Sequence, residues 1–165
     1  MARSDAKLLI LGSMPGQASL AACNYYAHPR NAFWPIMASL LGFPADSPIH
    51  DRYTALRNAG IALWDVLQEC ERQGSLDSAI QAHSAVDNDF GSFFQIHSQI
   101  AWVFFNGTQA EKFFCRVRKT QTIPCHLNYQ RLPSTSPANA GTAFAQKLSA
   151  WSIIPALLAN QRNSQ

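Results

Sequence analysis

The sequence predicts an α/β domain in which helices cover both faces of a mostly parallel sheet. Two observations carry this. Short apolar runs closed by turn residues recur along the chain, and the segments between them repeat apolar residues at helical spacing. Strands that alternate with helices pair in parallel, because the intervening helix carries the chain back to the start of the next strand. A length of 165 residues fits a single domain, 1–165, with a real core.

Lys7–Gly12 (K-L-L-I-L-G) reads as the first buried strand. It runs into S-M-P-G, where Pro15 and Gly16 break regular structure, and residues 17–30 are expected to be a loop. From Asn31 a helix is expected: Phe33, Ile36, Met37, Leu40 and Leu41 share one face, Pro35 sits in the first turn and Gly42 supplies a stop. Ile61–Val66 reads as a second strand, and Asp89 as the cap of a helix bearing Phe90, Phe93 and Phe94. Ile100–Asn106 is a third strand, followed by Gly107 and a helix with Ala110, Phe113, Phe114 and Val117 on one side. A fourth strand lies within Ile123–Leu132, ending at P-S-T-S-P. The last helix covers about Thr142–Leu158, with a kink expected at Pro155. In such a sheet, sites form beyond the carboxyl ends of the strands. The segments S-M-P-G, Asp65, Asn106-Gly107 and L-P-S-T-S-P should therefore converge.

Composition narrows the class. Hydrophobic residues make up 47% and charged residues 14%, which suits a globular chain and not a disordered one. No apolar run approaches the roughly 18 residues of a membrane helix, and the N-terminus lacks the regions of a signal peptide. A soluble, cytoplasmic, monomeric protein is expected. Cys23, Cys70, Cys115 and Cys125 form no C-x-x-C pair and read as reduced, mostly buried thiols without a metal. The formal charge of +3 is uneven: 46–89 carries eight acids and three bases, whereas 90–165 carries one acid and seven bases. A negatively charged partner would meet the two ends of the chain.

Five blocks carry a resemblance: L-L-I-L-G-S-M-P-G at 8–16, Y-Y-A-H-P-R-N-A-F-W at 25–34, G-I-A-L-W-D-V-L at 60–67, F-F-N-G at 104–107 and L-P-S-T-S-P-A-N at 132–139. In this order they resemble the uracil-DNA glycosylase superfamily, in particular its hypoxanthine-DNA (deoxyinosine) glycosylase branch. The resemblance implies a three-layer sandwich on a central four-stranded parallel sheet, no metal or other cofactor, and DNA containing deaminated bases as partner. It also implies departures. Met14 stands where other branches carry an Asp or Asn in the first motif, Leu132 where the closing motif starts with His or Asn, and Asp65 where an Asn often recognises the base. The resemblance assigns the catalytic role to Asn31.

The chemistry can be weighed against these residues. Breaking an N-glycosidic bond gives the sugar cationic character while the base leaves with the electrons. The enzyme must expose the nucleotide, hold a water and stabilise the leaving base. The Asn31 amide takes no proton at neutral pH, but its carbonyl can orient water; a helix cap is its plain alternative. Asp65 is the second catalytic candidate, either accepting the ring N–H of hypoxanthine or uracil while repelling adenine's bare ring nitrogen, or assisting the water, or stabilising the cationic charge on the sugar. Tyr26 aligns with the aromatic that stacks on the base, and Tyr25 competes with it. Ser13, Met14 and Asn106 complete the base-binding candidates. His28, Ser134, Thr135 and Ser136 are the candidates for DNA phosphates. Arg116, Arg118 and Lys119 read as a solvated helix end, and the 132–139 turn offers no large apolar wedge, only Ser136 and Pro137. Uracil release and binding of DNA without chemistry stand as alternatives. A serine hydrolase is disfavoured, because neither Ser13 nor Ser134 lies in a G-x-S-x-G elbow.

Overall fold

The computed structural model describes residues 1–162. Four parallel strands form the central sheet: β1 (Leu8–Gly12), β2 (Ile61–Asp65), β5 (Trp102–Asn106) and β6 (Asn128–Leu132), in the order β2-β1-β5-β6. All four were anticipated within a residue or two, except that β6 occupies only the last part of its expected window. The remaining strands, β3 (Leu67–Glu69) and β4 (Val86–Asp87), pair antiparallel in a small separate ribbon. No sequence pattern signalled this ribbon, because two or three residues are too few to show alternation.

Side-chain alternation along the strands divides the core into two layers. Leu9, Leu11, Val103 and Phe105 point to one face and pack against α4 (Phe90–Ile96) and α5 (Thr108–Thr120). Leu8, Ile10, Leu63 and Phe104 point to the other, against α2 (Phe33–Leu41), α3 (Ile49–Asn58), α6 (Phe144–Trp151) and α7 (Ile153–Arg162). All five residues of β1 are buried, as a strand covered on both faces requires. The helix α5 presents Ala110, Phe114 and Val117 as a buried stripe, and Asp89 caps α4 by accepting the Ser92 N–H at 3.0 Å.

Three local expectations are corrected. Residues 17–30 are not all loop: α1 (Gln17–Ala22) forms there and ends on Cys23 in the left-handed conformation, φ 50°. None of its residues is buried, so it shows no apolar stripe to a sequence reader. The last helix breaks at Ser152, not at Pro155. Proline lacks the N–H that would bond to the carbonyl four residues back, at Trp151, so α6 closes there and α7 restarts with Pro155 in its first turn. Finally, Cys23, Cys115 and Cys125 are exposed and Cys70 is half-buried, the reverse of the burial expected for free thiols. The helix α3 was also not anticipated; of its ten residues only Leu56 is buried.

Phe114 is fully buried among Phe90, Phe105 and Tyr129, with ring centroids 5.0–5.8 Å away. Phe114→Ala is expected to lower unfolding free energy by about 3–5 kcal/mol through lost burial and the cavity left behind. Chemical denaturation checks this: a loss below about 1 kcal/mol would mean that this layer is not close-packed.

Candidate active site

In the order β2-β1-β5-β6 the connection after β1 runs to one side of the sheet and later ones run to the other. This leaves a crevice at the carboxyl ends of β1 and β5. A cleft of about 810 Å³ opens there, within the range that holds a small ligand or nucleotide. Its walls come from the four strand-end segments, and it gathers Ser13, Met14, Tyr26, His28, Asn31, Asp65, Asn106, Ser134, Thr135 and Ser136. Every site residue singled out from the sequence thus lines one cavity, but their surroundings differ.

Asp65 ends β2 in register with Gly12, which ends β1. A Cβ on Gly12 would overlap the Asp65 carboxylate, so only glycine lets this carboxylate sit at the cleft floor. The side chain is 7% exposed. Burial, and after it the nearby Asp77 carboxylate, push its pKa up; the N-terminal ammonium and Arg72 partly offset both, and the balance stands at about 7.

Asn31 lines the cleft one residue before the N-cap of α2, which is Ala32 and not Asn31. Its Oδ1 accepts the Phe33 N–H at 3.0 Å at the start of α2, and its own N–H bonds to the His28 carbonyl at 2.8 Å. This side-chain turn ahead of the helix fixes the amide, while one lone pair of Oδ1 and the amide hydrogens remain for the cleft. The helix itself starts at Phe33, two residues later than expected.

Tyr26 carries backbone strain, with φ 54°, a region that bulky residues rarely occupy. Its ring stacks on Phe33 at 4.0 Å between centroids. Its hydroxyl lies buried without a hydrogen bond of normal geometry, beside Asn106, and burial next to Asp65 raises its pKa well above the usual tyrosine range. Tyr25 is held otherwise: its N–H donates to the Tyr53 hydroxyl at 2.9 Å and its carbonyl accepts from the Trp34 indole.

Asn106 and Thr135 bind each other twice. The Asn106 Nδ2 donates to the Thr135 hydroxyl at 2.8 Å, and the Thr135 N–H donates to Asn106 Oδ1 at 2.8 Å. The Thr135 carbonyl also accepts the Ala32 N–H at 3.0 Å. Thr135 is 1% exposed, so the phosphate contact expected of it is corrected: it braces the turn against β5 and α2. Half-exposed Ser134 and Ser136 remain available, their hydroxyls accepting the Ser136 and Ala138 N–H groups at 3.2 Å. Gly107, at φ 96°, lets the turn close, since a Cβ there would lie 2.8 Å from Ser134 Cβ. His28 uses Nδ1 to accept the Arg30 N–H, leaving Nε2 for the cleft. Of the basic run, Arg116 is bound to Asp87 and the Ala85 carbonyl, and Arg118 lies over the Tyr129 ring.

Sequence reasoning missed one wall. Between β3 and β4 the segment Ser75–Ser78 folds against the first motif. Asp77 accepts the Ser13 hydroxyl at 2.6 Å and pairs with Arg72 at 3.5 Å; Arg72 donates to the Pro15 carbonyl at 2.6 Å; Ser75 Oγ accepts the Gln17 N–H at 3.0 Å. The Ser13 hydroxyl is therefore engaged by Asp77. The only sequence signal was the acid-rich composition of 46–89, which does not say which acid turns inward. Among the described residues no helix is long and apolar enough to cross a membrane, and no group of three His, Cys, Asp or Glu side chains gathers as a metal site.

Because the folded-state pKa of Asp65 lies above its unfolded value near 4, its protonated form is favoured by folding. Its contribution is present at low pH and is lost as pH rises through about 7. Asp65→Asn is expected to raise stability at pH 8 by up to about 4 kcal/mol and little at pH 4. Melting curves across that range test it, and an equal gain at both ends contradicts it. Gly12→Ala is expected to displace the carboxylate, reducing any activity that depends on Asp65 by about 100-fold. Kinetics of the variant beside those of Asp65→Asn check this, and near wild-type rates for Gly12→Ala would refute the close approach.

Comparison with known proteins follows the same lines. The family model described as the uracil DNA glycosylase superfamily matches residues 2–155. A protein named hypoxanthine DNA glycosylase from Methanosarcina barkeri is 33% identical over 110 residues, covering 66% of this chain and 68% of its own. One of the same name from Methanosarcina acetivorans is 30% identical over 138 residues, covering 82% of each. The solution NMR structure of a candidate uracil DNA glycosylase from M. acetivorans superposes with a TM-score of 0.74 at 26% identity, over 93% of both chains. The expected fold, a central four-stranded parallel sheet between two helical layers, is the one this neighbour shares. A match over nearly the whole chain, set on this cleft, establishes that the protein belongs to the uracil DNA glycosylase superfamily.

Proposed function

We propose that the protein is a monofunctional DNA glycosylase acting in base excision repair, releasing hypoxanthine from deoxyinosine. DNA glycosylase activity is what family membership supports. The choice of base draws on the names of the two relatives and on one observation: a buried carboxylate, Asp65, shares the cleft with Asn31 and Tyr26.

The deoxynucleotide leaves the duplex and its base stacks on Tyr26, whose other face is supported by Phe33. Asp65, when ionised, accepts the ring N–H of hypoxanthine and repels the ring lone pair of adenine, so undamaged purine is rejected. Its negative charge in a dry cleft also stabilises the cationic sugar as the bond to the base breaks. Asn31 holds the attacking water through its carbonyl; a strongly electrophilic sugar needs orientation more than a strong base. Among the described residues lining the cleft there is no lysine, which fits hydrolysis without a Schiff base. Ser134, Ser136 and His28 serve the flanking phosphates.

Matched duplexes carrying deoxyinosine or deoxyuridine, treated with alkali after incubation, test the reading. Deoxyinosine is expected to be cleaved faster. Asn31→Ala is expected to reduce its cleavage by about 100-fold or more while binding is largely kept. Equal cleavage of both bases, or of uracil alone, would overturn the hypoxanthine assignment. Binding without cleavage by the wild type would support the non-catalytic alternative.

A further inference from the structure

The cleft floor at Gly12 and Asp65 lies below the protein surface, so a base can reach it only after leaving its stack, and the gap left in the duplex must then be filled. An apolar side chain fills such a gap best, since it gives the neighbouring bases a surface to pack on and brings no polar atom into the stack. The 132–139 turn presents Ser136, Pro137 and Ala138, none of which is large. One other wall of the cleft does present a large apolar group: Leu76, 57% exposed, between Ser75 and Asp77.

We propose that Leu76, on the segment joining β3 to β4, is the side chain that enters the base stack when the target nucleotide is extruded. This rests on the glycosylase reading above.

A lone exposed leucine is ordinary on a protein surface, so its setting decides the matter. Leu20, Val86, Ile96 and Phe144 are exposed too, but among the described residues Leu76 alone is both exposed and part of the cleft. Its neighbours are tied down on both sides. Ser75 is held by the Gln17 N–H, and Asp77 by the Ser13 hydroxyl and by Arg72, whose side chain is only 5% exposed and which also grips the Pro15 carbonyl. Three of these anchors, Ser13, Pro15 and Gln17, lie on the turn and helix that follow β1, the strand whose end forms the floor, and Arg72 ties the segment itself to that turn. The leucine is thus displayed at a set position relative to Asp65, with its polar neighbours turned inward onto protein partners. A wedge needs this arrangement, because a loosely hung side chain would yield instead of holding the gap open.

The experiment compares single-turnover cleavage of deoxyinosine in a fully paired duplex with cleavage of the same strand in which deoxyinosine lies unpaired in a bubble. For Leu76→Ala the paired-to-unpaired rate ratio is expected to fall about tenfold, because only the paired substrate must be opened. Leu76→Met is expected to keep most of it, and Pro137→Ala to leave the ratio near that of the wild type. In the paired substrate, 2-aminopurine beside the deoxyinosine is expected to brighten on binding wild-type protein and less with Leu76→Ala. An unchanged ratio in Leu76→Ala, or a larger fall in Pro137→Ala, overturns the wedge while leaving the glycosylase intact. Wild-type protein that cleaves neither substrate overturns the glycosylase reading, and the wedge with it.

Discussion

Three neighbouring parallel strands, β2, β1 and β5, buried along most of their length, leave polar groups one place to go, the strand ends. Every residue of β1 is buried, and Leu9, Leu11, Val103 and Phe105 serve one layer while Leu8, Ile10, Leu63 and Phe104 serve the other. A hydroxyl, amide or carboxylate inside this sheet would lose its water without gaining a partner. At the carboxyl ends the same chains run out into Ser13, Asp65, Asn106 and Ser134, and the strand order opens a crevice among them. The site is thus a consequence of how the core excludes polarity.

Asp65 shows what this placement costs. Its carboxylate is kept where water is scarce and Asp77 adds repulsion, so its proton affinity rises to near neutrality. Gly12 makes the position sterically accessible, and Arg72 and the N-terminal ammonium soften the electrostatics. The strained backbone and unpartnered hydroxyl of Tyr26 lie against the same spot. Strain and unsatisfied polarity collected at one cleft are features a surrounding scaffold must hold in place.

That scaffold is made of hydrogen bonds that look like site chemistry in the sequence. Asn106 and Thr135 exchange two bonds, and Ser13 gives its hydroxyl to Asp77. These residues set the shape of the cleft, while Asn31, Tyr26 and Asp65 keep faces or lone pairs turned into it. The Asn31 side-chain carbonyl does both, accepting the Phe33 N–H at the entry to α2 with one lone pair.

By itself the sequence determined the layer architecture, the four central strands, α4, α5 and the strand-end segments that converge. These follow from burial, and burial writes itself into the spacing of apolar residues. The five motif blocks likewise made the family and the residues around the cleft legible before any fold was in view. Only the tertiary structure decided which of those residues are free and which are braces, because a serine or asparagine reads the same whether or not a partner distant in the chain claims it. The β3–β4 ribbon, with Asp77 and Leu76, belongs to the same class. Its residues meet the turn after β1 across about 60 positions of chain, and no local period records that contact. The helices α1 and α3 also escaped notice, since one buries nothing and the other a single leucine. Asn31, first legible as part of a motif, owes its orientation to the start of α2 and its surroundings to three strand ends.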